Sequence, residues 1–187
     1  QGETLVHIEA DATNPETSVP GQYTFYGRYV DNVPEDDIVR VLDEQRAELR
    51  AALASLSPEQ ERHRYEPGKW SVRQVVGHLG DAERIFGLRA FCFSRGESQP
   101  LPGFDEAQYV AAAPYDTTSV ASLLAELELL RNANLAAFRR FDADTWQRVG
   151  TASGHPISVR ALAYAIAGHA RHHLRFLGQR YGLAISR

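Results

Sequence analysis

Three histidines are the residues whose type and spacing could do chemistry in this chain: His169 and His173, four positions apart, and His78 far upstream. On a helix, four residues return the side chain to within about 40° of its starting direction, so two such imidazoles can share one ion. Spacing alone is also met by core histidines that bond to backbone or to each other. Placement adds to it. Leu162, Ala165, Ile166, His169, His173, Phe176 and Leu177 form one apolar seam, and His78 falls between Val75 and Ala82 on another inward stripe. Three imidazoles facing inward from two helices would hold a divalent ion with a position left open, the arrangement of catalytic rather than structural zinc.

Other chemistries are removed by what the sequence lacks. One cysteine, Cys92, excludes a disulfide framework and any Cys-rich zinc or iron–sulfur site. Ala170-Arg171-His172 places no Glu after His169, so this is not the H-E-x-x-H helix of a metalloprotease. No Glu-x-x-His occurs, which removes the di-iron carboxylate bundles. Neither a phosphate-cradling glycine loop nor a G-x-S-x-G elbow is present. A formal net charge of −4 offers no basic field for nucleic acid. No apolar run reaches the roughly 18 residues of a membrane span, so a soluble cytoplasmic protein is expected.

Four further histidines read as ordinary: His172 lies about 100° around the helix from His173, beside the seam, and His7, His63 and His155 fall in loops or ends. Arg89 is the one charged residue that stands out. It follows His78 by eleven positions, a net turn of about 20° and a rise of about 16 Å, so it projects from the same face further along. An inward guanidinium needs an acceptor. Either it pairs internally with Asp105, Glu106 or Asp81, or it clamps the carboxylate of a substrate. No Asp or Glu shares the seams with the histidines to act as a base.

The elements that must position these residues are helices. Ile38, Val41, Leu42, Gln45, Leu49, Leu53 and Leu56 recur at three- and four-residue steps, which predicts a first helix over 34–56 with Pro34 near its first position. Ser57-Pro58 starts one short turn. Ser71-Val72-Arg73-Gln74 is a capping-box pattern opening a second helix to about Ser94. After a Gly/Pro-rich loop, Asp105 to Val110 is helical, and Thr117 or Thr118 caps a third helix whose stripe runs to Phe141. Residues 150–156 read as a loop. Ser158 caps a fourth helix to Tyr181, ended by Gly182. The fold class is therefore all-α: residues 34–187 form a four-helix bundle, and residues 1–33, with Tyr23, Phe25, Tyr26 and Tyr29, form an extended arm packed on it.

Trp70-Ser71-Val72-Arg73-Gln74-Val75-Val76-Gly77-His78-Leu79, followed by Asp81-Ala82-Glu83-Arg84-Ile85-Phe86 and later by Gly168-His169-Ala170-Arg171-His172-His173-Leu174, resembles the DinB-like, or YfiT-like, metalloprotein superfamily over about residues 34–182. The resemblance implies a four-helix bundle holding zinc or nickel through one histidine of the second helix and an H-x-x-x-H pair on the last. These are His78, His169 and His173. It also implies a homodimer, and for some members transfer to a low-molecular-weight thiol such as bacillithiol or mycothiol.

The activity expected first is thus a metal-dependent thiol S-transferase acting on a small molecule, the ion presenting the thiol as a thiolate. In that reading Arg89 and the aromatics Tyr26 and Tyr29 help to bind substrate or thiol. Metal-dependent hydrolysis, with water in place of the thiol, is the alternative, and a bundle that binds metal without catalysis is the third.

Overall fold

The structure, a computed structural model, describes residues 27–185. Four long helices make the bundle: α2 (Ile38–Leu53), α4 (Val72–Ser94), α6 (Val120–Phe138) and α8 (Val159–Tyr181). Helix α4 packs against α6 and α8, and α2 packs against the same two from the other side. Short elements decorate it: α1 (Gly27–Val30), α3 (Pro58–Arg62), α5 (Glu106–Ala112), a 3₁₀ turn at Tyr115–Thr117, α7 (Ala143–Gln147), and strands β1 (Val149–Ala152) and β2 (His155–Ser158). No described helix is long and apolar enough to cross a membrane.

The core lies where the periodicity puts it. Leu42, Leu49 and Leu53 of α2, Val72, Val75, Val76 and Phe93 of α4, Leu127 and Leu135 of α6, and Leu162 and Leu177 of α8 are almost wholly buried. Burying a side chain of this kind contributes roughly 1.5–3 kcal/mol, which is why an amphipathic stripe holds a helix that would be marginal alone. The second helix opens on the predicted capping box, with the Gln74 amide donating to Ser71 Oγ and the Ser71 amide donating to Gln74 Oε1. Gly182 ends α8 at φ 68°, a conformation that costs glycine nothing.

Several boundaries differ from the sequence reading, each for a local reason. The first bundle helix starts at Ile38 because Asp37 caps it, accepting from the Arg40 amide, while 34–36 run outside it. The third is capped by Ser119, since the Thr117 and Thr118 hydroxyls are both spent on the Pro114 carbonyl in the preceding 3₁₀ turn. It ends at Phe138, before Phe141, and α7 follows as a separate turn capped by Asp142. Residues 149–158, taken for the most part as loop, form an antiparallel hairpin with Gly150 opposite Ile157. Its turn is Ser153-Gly154, both at positive φ. Of the N-terminal arm, residues 27–30 are helical rather than extended; Tyr23, Phe25 and Tyr26 lie outside the described residues.

Candidate metal centre

The start of α4 is held more tightly than a cap requires, and this fixes where His78 points. Arg64 donates to the Lys69 carbonyl, to Gln74 Oε1 and to Asp116, each at 2.6 Å, and the Ser71 hydroxyl donates to the other Asp116 oxygen at 2.6 Å. Trp70 is thereby laid against His78, ring centroids 5.1 Å apart. One residue earlier, Gly77 lies under the Tyr115 ring, where an added Cβ would come within 2.4 Å of it. Tyr115 then donates its hydroxyl to Asp81, a turn beyond His78.

On α8 the close approach is made at Gly168. A Cβ there would overlap the Tyr29 carbonyl oxygen at 1.7 Å, so only glycine lets α1 lie flat on this helix. Arg171 holds the same segment by donating to the Asn32 carbonyl and, through both terminal nitrogens, to the Glu35 carboxylate. The Tyr29 ring consequently stands edge-on to His169 at 5.1 Å, with Phe86 on α4 at 5.9 Å.

Between these supports the three histidines meet. Their ring centroids are 4.5–4.8 Å apart, and one ligand atom from each lies within 4.8 Å of the others. His78 is fully buried, His169 2% and His173 8% exposed. Burial pushes all three pKa values down, that of His78 to about 3, with the neighbouring imidazoles adding to the effect. The rings are therefore neutral, the state a metal ligand needs. The Nε2 atoms of His78 and His169 face each other at 2.9 Å, while Nδ1 of His78 and of His173 are buried with no hydrogen-bond partner. Two such atoms cost about 1–3 kcal/mol each when left unmatched. A divalent ion suits this donor set of three neutral imidazoles, each offering one nitrogen to a common point: borderline-soft and nitrogen-binding.

A carboxylate that the helical seams do not contain completes the site. Glu106, the first residue of α5, is 7% exposed and its Oε2 lies 3.9 Å from His78 Nε2. Burial, helped by the charge of Asp105, raises its pKa to about 7. It is not a member of the mutually close set of ligand atoms, which places it beside the triad rather than in it. The seams themselves supply no such carboxylate, as expected; Glu106 comes from outside them. Sequence periodicity overlooks Glu106 because it arrives from a short helix after a Gly/Pro-rich loop; its one local signal is the Asp105 cap, which accepts from the Gln108 amide.

Arg89 is not brought to the triad. It lies about 16 Å of helix rise from His78, is 2% exposed, and donates to the Pro102 carbonyl at 2.9 Å and to Ser153 Oγ at 3.1 Å. His172 flanks the centre, its ring 5.1 Å from His173 and 6.0 Å from Tyr29. His63 and His155 are exposed and lie outside the close set, and His7 lies outside the described residues.

Comparison with known proteins agrees with the fold. The family model of the DinB superfamily matches residues 41–177. A Geobacillus thermodenitrificans (strain NG80-2) protein named "Putative metal-dependent hydrolase" is 29% identical over 129 residues, spanning 67% of this chain and 71% of its own. YfiT of Bacillus subtilis (strain 168), which carries the same description, is 26% identical over 145 residues, 75% of this chain and 80% of its own. The solved structure of Bacillus subtilis YfiT, described as a four-helix bundle of unusual topology, superposes with a TM-score of 0.70 at 23% identity, covering 91% of this chain and 94% of that one. With its bundle, its histidines and a family match across most of its length, the chain belongs to the DinB superfamily.

Proposed function

We propose that the protein is a metal-dependent hydrolase of a small molecule, with His78, His169 and His173 holding a divalent ion, zinc or nickel, and Glu106 serving as the base. The observation that carries this reading is the buried Glu106 carboxylate 3.9 Å from His78 Nε2. When bound, the ion supplies Lewis acidity, lowering the pKa of water and polarising a carbonyl or phosphoryl group. Glu106 Oε2 takes the proton released at the site and returns it to the leaving group, the role a positioned carboxylate performs in general acid–base catalysis. Trp70, Tyr29 and Phe86, packed around the rings, exclude bulk water and keep the imidazoles oriented.

Thiol S-transfer would use the same three ligands but depends less on a base, because a thiol, with an ordinary pKa of about 8.5, would release its proton to solvent on binding and needs no proton returned to it. The two readings therefore part at Glu106. Metal-loaded protein is assayed against small esters, lactones and amides with and without bacillithiol or mycothiol. Hydrolysis without thiol, abolished in His173→Ala and lowered about 10²-fold or more in Glu106→Gln, is the expected result. Turnover that requires a thiol and ignores Glu106→Gln would assign the transferase instead.

A further inference from the structure

The hairpin and the loop before α5 raise the question of what holds Glu106 in place. Residues 101–105 lead directly into α5, and they are tied to the hairpin by backbone: the Leu101 amide donates to the Thr151 carbonyl, and the Ser153 amide donates to the Leu101 carbonyl. Arg89 closes the other side. Its buried guanidinium donates to Pro102 O and to Ser153 Oγ and stands 5.9 Å over the Phe104 ring. Gly103 packs against the same serine, with 3.4 Å between the position of a Cβ and Ser153 Oγ.

Ser153 is itself unusual. At φ 52° it is the one non-glycine residue at positive φ among the described residues, in the two-residue turn Ser153-Gly154. Glycine or asparagine fills such a position at lower cost. What serine offers over glycine is an oxygen, and that oxygen accepts from Arg89.

From these contacts we infer that Arg89 and Ser153 form a clasp that positions Glu106 at the histidine triad: the hairpin is the anchor, residues 101–104 are the strap, and α5 is the arm it aims. Arg89 and Ser153 are positioning residues, acting through the strap. The hairpin then has a task that packing alone does not require, and the catalytic part of that task rests on the hydrolase reading above.

Ser153→Gly and Ser153→Asn separate this from a purely structural role. Both residues accept the turn's positive φ, but only asparagine keeps an acceptor for Arg89. Hydrogen exchange of zinc-loaded protein is read by mass spectrometry. Peptides covering 101–112 are expected to exchange at least tenfold faster in Ser153→Gly and at a rate within about threefold of the parent in Ser153→Asn. Zinc affinity and exchange around 165–177 stay unchanged in both. Arg89→Met repeats the Ser153→Gly pattern. With p-nitrophenyl acetate as probe, Ser153→Gly lowers kcat with KM held, and does so in the parent but not in a Glu106→Gln background. Unchanged exchange at 101–112, equal effects of the two substitutions, or loss of zinc affinity with either would overturn the clasp. If the parent hydrolyses no ester, the hydrolase reading fails, while the exchange measurements still decide the clasp.

Discussion

Arg131 offers the sharpest test of how the bundle holds its metal centre. It is 1% exposed, on α6, and every nitrogen of its guanidinium is engaged: Nε and Nη2 donate to the two oxygens of Glu83 at 2.8 and 3.0 Å, and Nη1 donates to the Leu42 carbonyl and to Gln45 Oε1, both at 3.0 Å. Asn134 adds a bond to Glu83, and Gln45 passes the connection on by donating to the Ala167 carbonyl, two residues before His169. Arg131 thus ties three bundle helices directly, and Gln45 extends the network to the fourth. Arg131→Met keeps the volume roughly constant but leaves a carboxylate, 3% exposed, with its counter-charge gone and two further acceptors short of a donor. Breaking a buried pair in this way costs about 3–5 kcal/mol. In a chain of this size each kcal/mol moves the melting temperature by about 2–4 °C, so a fall of about 6–20 °C is expected. The decisive comparison is the double variant Glu83→Gln with Arg131→Met, which no longer carries a stranded charge. It should lose clearly less than the sum of the singles, with a coupling of about 1–3 kcal/mol by chemical denaturation of the zinc-loaded protein. Strictly additive losses, or an Arg131→Met variant within about 1 kcal/mol of the parent, would refute the argument that the network is a unit.

Three further outcomes follow from the site. Replacing any of His78, His169 or His173 by alanine is expected to abolish stoichiometric zinc retention after dialysis, whereas His63→Ala leaves it intact, as read by elemental analysis. In the metal-free protein the depressed histidine pKa values mean that the unfolded chain takes up protons below about pH 6.5 that the fold refuses, so stability is whole above that pH and is lost as pH falls toward 3, by about 1.4 kcal/mol per pH unit for each ring. Glu106, raised to about 7, works the other way between pH 7 and 4.5, and Asp81, also raised by burial, opposes the loss below that, so urea denaturation of EDTA-treated protein should show stability falling with acid, and falling more steeply in Glu106→Gln; a flat profile would exclude neutral buried rings. Gly168→Ala gains helix propensity yet drives a methyl group into the Tyr29 carbonyl, so faster hydrogen exchange of residues 27–33 is expected together with a net destabilisation of about 1–3 kcal/mol.

What the sequence discloses here depends on whether a residue belongs to a periodic element. His78, His169 and His173 sit on long helices whose apolar seams point inward, so their convergence is readable from spacing once a bundle is assumed. Ser71 with Gln74 and Gly182 obey cap rules that operate within a few residues. Glu106 follows no period, because its place depends on a loop pinned by a hairpin more than forty residues later. The hairpin itself hides for a related reason: its four-residue strands contain Gly150 and Pro156, too short and too irregular for an alternating pattern, although Ser153-Gly154 is a recognisable turn signal. Arg89 shows the limit of helical projection. Its face is predicted correctly as inward, but the partners that meet it come from segments with no helical phase.

The same division bears on how a reactant reaches the ion. The triad is almost sealed, and the cavity beside it, between Leu79, Glu83, Phe86, Arg131 and His169, is about 10 Å³, room for no more than one water. Separating the bundle helices to widen it would break the Arg131 network and strand its charge, at several kcal/mol. The parts that touch the rings from outside the bundle are attached differently. Helix α1, one turn long, reaches His169 through Tyr29, and α5, two turns long, reaches His78 through Glu106. Neither contributes a long apolar stripe to the core, and a helix of one or two turns, however closely it packs at one point, has little structure of its own to lose and opens at lower free energy than the body it covers. Access by any molecule larger than water therefore falls to these two short helices, so the Gly168→Ala and Ser153→Gly variants, which loosen one cover each, should differ from Arg131→Met at the centre of the bundle by raising the rate at which a chelator removes zinc without lowering the global stability in proportion.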